Sequence, residues 1–154
     1  MTIDMTIEWK NYHFEELPNS ILYEILKLRQ EVFIVEQSCA YLDCDGLDHL
    51  AIHLCGFQKD TGEIYAYARI FPSKILQEET VIGRVIINAS QRGNGLAYQL
   101  MQKAEQICPS SQYYLGAQAY LEKFYTKAGY RRSGNNYDED GIPHLPMKKL
   151  HLIE

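Results

Sequence analysis

The sequence predicts an α+β domain in which a mixed, mostly antiparallel sheet is flanked by helices. Three observations carry that prediction. Strand-length runs, alternating or continuously apolar, recur along the chain and are separated by turn-forming residues. Apolar residues recur at helical spacing in two longer stretches, 21–33 and 95–107. The second half alternates strand, helix, strand, helix and strand, so that 81–117 forms one right-handed β-α-β unit.

In order along the chain, residues 6–14 alternate apolar and polar side chains as a half-buried strand does. Pro18, Asn19 and Ser20 mark a helix entry with a small polar residue available as cap. Ile21, Ile25, Leu28 and Val32 then define a helix to about Phe33. The stretch 36–48 is acidic and rich in turn formers, and a loop of that length inside a compact domain is uncommon and often functional. The runs HLAIHLCGF and GEIYAYARIFP flank a short polar turn and predict a hairpin ended by Pro72. VIGRVIIN, ending at Asn88, is β-branched enough for a central buried strand. A helix from about Gly95 to Ile107 turns Leu96, Leu100, Met101, Ala104 and Ile107 inward and stops at Pro109. Residues 112–117 read as a strand and 120–128 as a shorter helix ended by Gly129. The tail supplies final strands around the Asp138–Gly141 turn.

The chain has 154 residues and a formal net charge of −5, with 46% hydrophobic residues and both charge signs mixed along it. That bounds it to one domain, 1–154, with a well-covered core. Without a basic cluster, nucleic acid is excluded as the main partner, because such binding rests on phosphate neutralisation. An acidic balance favours a cationic or neutral small-molecule partner over an anionic one. The first ten residues carry acids and no long apolar run, so no export signal is expected, and no stretch is long and apolar enough to span a bilayer. The cysteines Cys39, Cys44, Cys55 and Cys108 are expected as free thiols in the cytoplasm.

The informative segment is VIGRVIINASQRGNGLA, in which a strand runs through Arg92-Gly93-Asn94-Gly95-Leu96-Ala97 directly into a helix. Glycines let backbone N–H groups approach a ligand, and a helix N-terminus favours a phosphate. Arg92 adds a full charge beside it. A P-loop needs Lys-Ser/Thr after the second glycine, where Leu96-Ala97 stand. A dinucleotide fingerprint needs glycine or alanine at Tyr98 and an acid near Leu115-Gly116-Ala117. Both nucleotide readings fail.

The remaining pattern, Arg-x-x-Gly-x-Ala, resembles the acetyl-CoA pyrophosphate loop of the GNAT acetyltransferase superfamily. AYLEKFYTKAGY, about thirty residues on, resembles the second motif of that family. LRQEVFIVEQ, YAYARI, IGRVII, YLGAQAYLEKFY and EDGIPHLPM extend the resemblance over nearly the whole chain, to the ElaA-like branch. It implies the GNAT acyl-CoA N-acyltransferase fold and acetyl transfer to an amine acceptor by direct attack. It implies acetyl-CoA as acyl donor, with Val85, Ile86 and Ile87 offering main-chain groups to the pantetheine. Arg92, Gly93, Asn94, Gly95, Leu96 and Ala97 would hold the pyrophosphate, with Phe124 at the cofactor. Homodimers are common in the family. Two positions depart from its broader pattern: Gln118 stands where many members have asparagine, and Gly83-Arg84 where some carry a glutamate base.

On that resemblance Tyr125 is the general acid, since a phenol near pKa 10 can protonate a departing thiolate. Glu36 is the catalytic carboxylate to weigh, against a solvated helix-end acid. His53 and His144, or an ordered water, are the other routes for the acceptor's proton. Arg84, His53 and His144 are the candidate acceptor contacts, each set against a structural role. Arg84 in an apolar strand needs a partner or a pocket. No metal is expected. Cys39, Cys44, His49 and His53 lack zinc-finger gaps, and Asp43, Asp45 and Asp48 fail a calcium loop, which has Gly46 too early and Leu54 at its last ligand position. Cys108 lies at a helix C-terminus, the wrong end for a nucleophilic thiol. Two other classes stay open here: a non-catalytic acyl-CoA-binding module and an interaction domain on the same scaffold.

Overall fold

The computed structural model describes residues 7–151. β1 (Ile7–His13) leads through a short 3₁₀ turn to α1 (Asn19–Arg29), and the helix continues as π-helical turns over Gln30–Glu36. The hairpin is β2 (Ile52–Gln58) and β3 (Ile64–Phe71), followed by β4 (Thr80–Ile87) and α2 (Leu96–Ile107). Then come β5 (Gln112–Gln118), α3 (Glu122–Lys127), the short β6 (Arg131–Arg132), β7 (Tyr137–Glu139) and β8 (Ile142–Leu150).

The sheet order is β1-β2-β3-β4-β5-β8-β6, with β7 on β8. The β4–β5 pair is parallel and the others are antiparallel. Side-chain alternation sends the central strands to two cores. Leu54, Ala66, Ala68 and Ile82 pack under Leu96, Leu100, Met101 and Ala104 of α2. Cys55, Tyr67 and Ile86 pack under Ile25, Leu28 and Val32 on the other face. A sheet of residues that alternate in this way buries both faces only if a helix covers each.

Three local expectations are corrected. The cap of α1 is Pro18, in extended backbone and without a side-chain cap bond, while Asn19 and Ser20 lie inside the helix. A fixed proline φ suits a helix start as well as a polar cap does. The first helix does not end near Phe33. It widens there and runs to Glu36, closing with Cys39 N–H donating to the Ile34 carbonyl, five residues back, at 3.0 Å. The helix expected from residue 120 begins as a 3₁₀ turn at Ala119–Leu121 and becomes α only at Glu122.

Candidate active site

β4 and β5 pair only at Thr80↔Tyr113 and Val81↔Tyr114. Beyond that they splay apart, leaving the edge of β4 from Ile82 onward open toward a cleft of about 1020 Å³. The divergence has a local cause. Tyr67 and Arg69 of β3 pair with Ile86 and Gly83, so Arg84 and Val85 together oppose Ala68 alone. That is a β-bulge, which adds twist and bends the strand. Arg84 takes φ +48° there, a conformation uncommon for a residue with a side chain. Val85, Ile86 and Ile87 all line the cleft.

The loop after β4 forms one end of the cleft. Gly93 and Gly95 have φ +86° and +85°, and Gly95 is the N-cap of α2. Asn94 Oδ1 accepts from Leu96 N–H at 3.2 Å, which fixes the first helical turn. Arg92 to Ala97 all face the cleft. Arg92, however, is engaged: its two terminal nitrogens donate to Glu36 at 2.9 and 3.0 Å, and Nε donates to the Ile87 carbonyl. The π-helical turns carry Glu36 to this loop. Glu36 thus holds the Arg92 guanidinium in a bidentate pair beside the glycine-rich loop.

Tyr125 on α3 lines the same cleft and is buried, with its ring edge-on to Phe124 and Tyr130 at 4.9 and 6.2 Å. Phe124 also packs on Tyr98, at 4.6 Å, so it lines the cleft as part of an aromatic wall. Burial pushes the Tyr125 phenol well up, with Tyr120 adding to it, so the hydroxyl stays protonated. Among the described residues that hydroxyl takes no hydrogen-bond partner, so it is a donor awaiting one. Gln118, at the end of β5, instead spans the cleft: its side-chain amide and that of Gln37 each donate to the other, at 3.1 and 3.2 Å.

The far end of the cleft is shaped by the acidic loop, and here the sequence concealed most. Asp43, Asp45 and Asp48 are bound by three arginines. Arg29, only 1% exposed, donates to the Asp43 carboxylate and carbonyl and to Asp48. Arg69 donates to Asp45 and Asp48, and Arg84 Nε donates to Asp43 at 2.8 Å. The Tyr41 hydroxyl donates to Asp43 at 2.7 Å. Burial alone would raise the Asp45 carboxyl, but the Arg69 bond and charge outweigh it and hold it at about 2. Arg84 therefore finds a loop carboxylate, the alternative that its place in an apolar strand allows. Asp43, Asp45 and Asp48 hold arginines. Among the described residues, Arg69 Nε is buried without a hydrogen-bond partner, the guanidinium lying over the Phe71 ring at 4.9 Å.

His53 is corrected as an acceptor contact. It is fully buried, with Nδ1 bonded to the Tyr67 hydroxyl at 2.7 Å and Nε2 donating to the Asp48 carbonyl at 2.8 Å. Both ring nitrogens are satisfied, it does not line the cleft, and burial lowers its pKa. His144, in contrast, lines the cleft beside Tyr137 and Glu139. The Cys108 thiol is raised by burial, with a bond to Thr80 opposing this. The four cysteines are free thiols, and among the described residues no group of three or more His, Cys, Asp or Glu is arranged to hold a metal. Among the described residues no helix is long and apolar enough to cross a membrane.

The family profile of the acetyltransferase (GNAT) domain matches residues 53–151. Protein ElaA of Escherichia coli (strain K12) is 44% identical over 149 residues, which cover 93% of this chain and 96% of ElaA. Its crystal structure superposes with a TM-score of 0.85 at 43% identity, over 94% of this chain and 99% of that one. The crystal structure of an acyl-CoA N-acyltransferase from Pseudomonas aeruginosa gives the same score at 37% identity, over 94% and 99%. The fold is also similar to that of an aminoglycoside 6′-N-acetyltransferase complexed with coenzyme A, with a TM-score of 0.71 at 16% identity, over 94% and 98%.

Proposed function

The chain belongs to the GNAT acetyltransferase family, and on that footing we propose that it transfers the acetyl group of acetyl-CoA to an amine acceptor by direct attack in a ternary complex. The observation that carries this is the cleft itself. One opening joins a glycine-rich helix N-terminus, an unpaired strand edge and an unpartnered tyrosine hydroxyl. Amides at the helix start suit the pyrophosphate. The open edge of β4 can take the pantetheine amides as an added strand. Holding both substrates in one cleft supplies most of the rate through positioning. The relatives named acyltransferases and the solved coenzyme A complex of the same fold support the reading. The free thiols fit work in the cytoplasm.

In this reading Tyr125 serves the leaving group. With its phenol raised by burial, it donates a hydrogen bond to the thiolate as the C–S bond breaks and gives up the proton only as charge develops there. Tyr125→Phe keeps the packing against Phe124 and Tyr130. It is expected to lower kcat about 100-fold while acetyl-CoA affinity stays within about twofold. Steady-state thiol release and titration calorimetry measure the two, and full turnover would remove Tyr125 from the chemistry. The same calorimetry with ATP and NADH as controls tests the donor itself: selective acetyl-CoA heat is expected, and equal or absent heats would overturn the assignment.

Glu36 acts on the donor side. Its pair with Arg92 must open for the guanidinium to reach a pyrophosphate, and both side chains are 43% exposed. Exposed pairs are worth up to about 1 kcal/mol, so Glu36→Gln is expected to tighten acetyl-CoA binding by about two- to fivefold. Loss of turnover at unchanged affinity would instead return Glu36 to the role of base.

A further inference from the structure

We propose that the acceptor is a protonated primary amine whose ammonium docks between Glu139 and His144, and that His144 Nε2 takes its proton; this rests on the acyl-transfer reading above. The hairpin of β7 and β8 turns through Asp140 and Gly141, whose φ values of +53° and +81° give the paired left-handed turn that an Asp-Gly sequence favours. That turn brings Glu139 back over His144, both on the cleft wall. Cys39 Sγ donates to the Asp140 carbonyl at 3.3 Å, so the acidic loop and this hairpin close on one chamber.

The ring of His144 is fixed on two sides. It stacks on Tyr137 at 5.7 Å, and Nδ1 lies 2.8 Å from the Ile142 carbonyl, which accepts and therefore assigns the proton to Nδ1. Nε2 then carries a lone pair, yet it sits 3.2 Å from Glu139 Oε2, another acceptor. Two acceptors at that distance repel unless a donor satisfies both. A proton on Nε2 does so, and so does an ammonium, which has three N–H donors. The side chain of Glu139 is more than half exposed while that of His144 is 9% exposed, so the pair opens toward the cleft on the carboxylate side. The groups facing the imidazole are Glu139 and Tyr137 from β7 and, across the sheet, the neutral Gln118, its β5 partner.

R–NH₃⁺ gives one proton to neutral His144, leaving R–NH₂ and an imidazolium paired with Glu139. The amine lone pair forms the C–N bond at the thioester carbon. As the C–S bond breaks, Tyr125 protonates the thiolate and takes up the second nitrogen proton in its place, leaving the neutral amide with one N–H. His144 returns its proton to solvent, so one proton is released overall.

The test uses wild type, H144Q and E139Q, with n-butylamine as probe. In the absence of acetyl-CoA, the ring resonances of His144, assigned by their loss in H144Q, are expected to move on addition of butylammonium. The movement should be absent in E139Q. With acetyl-CoA, H144Q should lower kcat/KM about 100-fold and move the acid limb of its pH profile up to the amine's own deprotonation, with acetyl-CoA affinity within about twofold. Unmoved resonances, or movement unchanged in E139Q, would overturn the docking site. An acid limb left at its wild-type position in H144Q would overturn the proton transfer. Failure of acetyl-CoA to bind wild type is a separate result, and it would overturn the acyl-transfer reading instead.

Discussion

Gly95→Val is expected to abolish measurable acetyl-CoA binding, weakening it by more than about 100-fold, or about 2.7 kcal/mol, while the protein stays folded. Gly95 has φ +85° and caps α2, and a Cβ built on it meets nothing within 4 Å. The fold therefore has room for the side chain, and the space it fills belongs to the cleft beside the glycine-rich loop, where the pyrophosphate is proposed to sit. The left-handed backbone costs a branched residue about 1–2 kcal/mol. That strain is a stability effect and needs its own control. Gly62, in the β2–β3 turn, has φ +74° and equally open surroundings, but does not line the cleft. Gly62→Val should lower the melting temperature by a similar amount and leave affinity unchanged. If the two variants bind acetyl-CoA equally, the loop does not hold the pyrophosphate.

How much of this was legible beforehand follows from the range of each signal. The glycine-rich loop was readable because its pattern is local: glycines, an arginine and a helix start lie within six residues. The strands and α2 were readable because alternation and helical spacing are also local. The splay of β4 and β5 was not, since it depends on register with β3. The positive φ at Arg84 has no marker in a sequence that offers Gly83 as the more obvious bulge. His53 misled for a related reason. A histidine in an apolar strand is equally consistent with a ligand and with a buried pair, and its partners, Tyr67 and the Asp48 carbonyl, are fixed by folding.

The arginine–aspartate network shows the same limit from the other side. Arg29 falls on the apolar stripe of α1, and Arg69 in the apolar run of β3. Either would have flagged a buried charge in search of a partner. The acidic loop supplies the partners, but sequence spacing cannot pair 29 with 43 and 48, or 69 with 45. The loop is long because it must reach inward over both arginines, and its acids serve the fold before they serve an acceptor.

That makes Asp43 the residue whose loss costs the most stability. Asp43→Ala removes the acceptor of Arg29 Nε, Arg84 Nε and the Tyr41 hydroxyl together. Arg29 cannot turn to water in compensation, because it is 1% exposed. Arg29 keeps Asp48 and the main-chain carbonyl of residue 43, so it loses one of its two carboxylates, and the cost is expected at the low end of the about 3–5 kcal/mol of a broken buried pair. The expected result is a large fall in the urea midpoint with an unchanged slope. Replacing Arg29 and Asp43 together by apolar residues should cost less than either single change, because Arg29 is then not left buried and short of a carboxylate, while Asp48 keeps Arg69. The pH dependence has a defined sign. Asp45 and Asp48 are both held below the ordinary carboxylate range by their arginines, Asp45 at about 2. Their stabilisation is present above the unfolded value of about 3.9 and is lost as pH falls toward 2. Wild-type stability should therefore decline across that window. A double variant that is less stable than Asp43→Ala would show that the charges stabilise this loop beyond compensating one another.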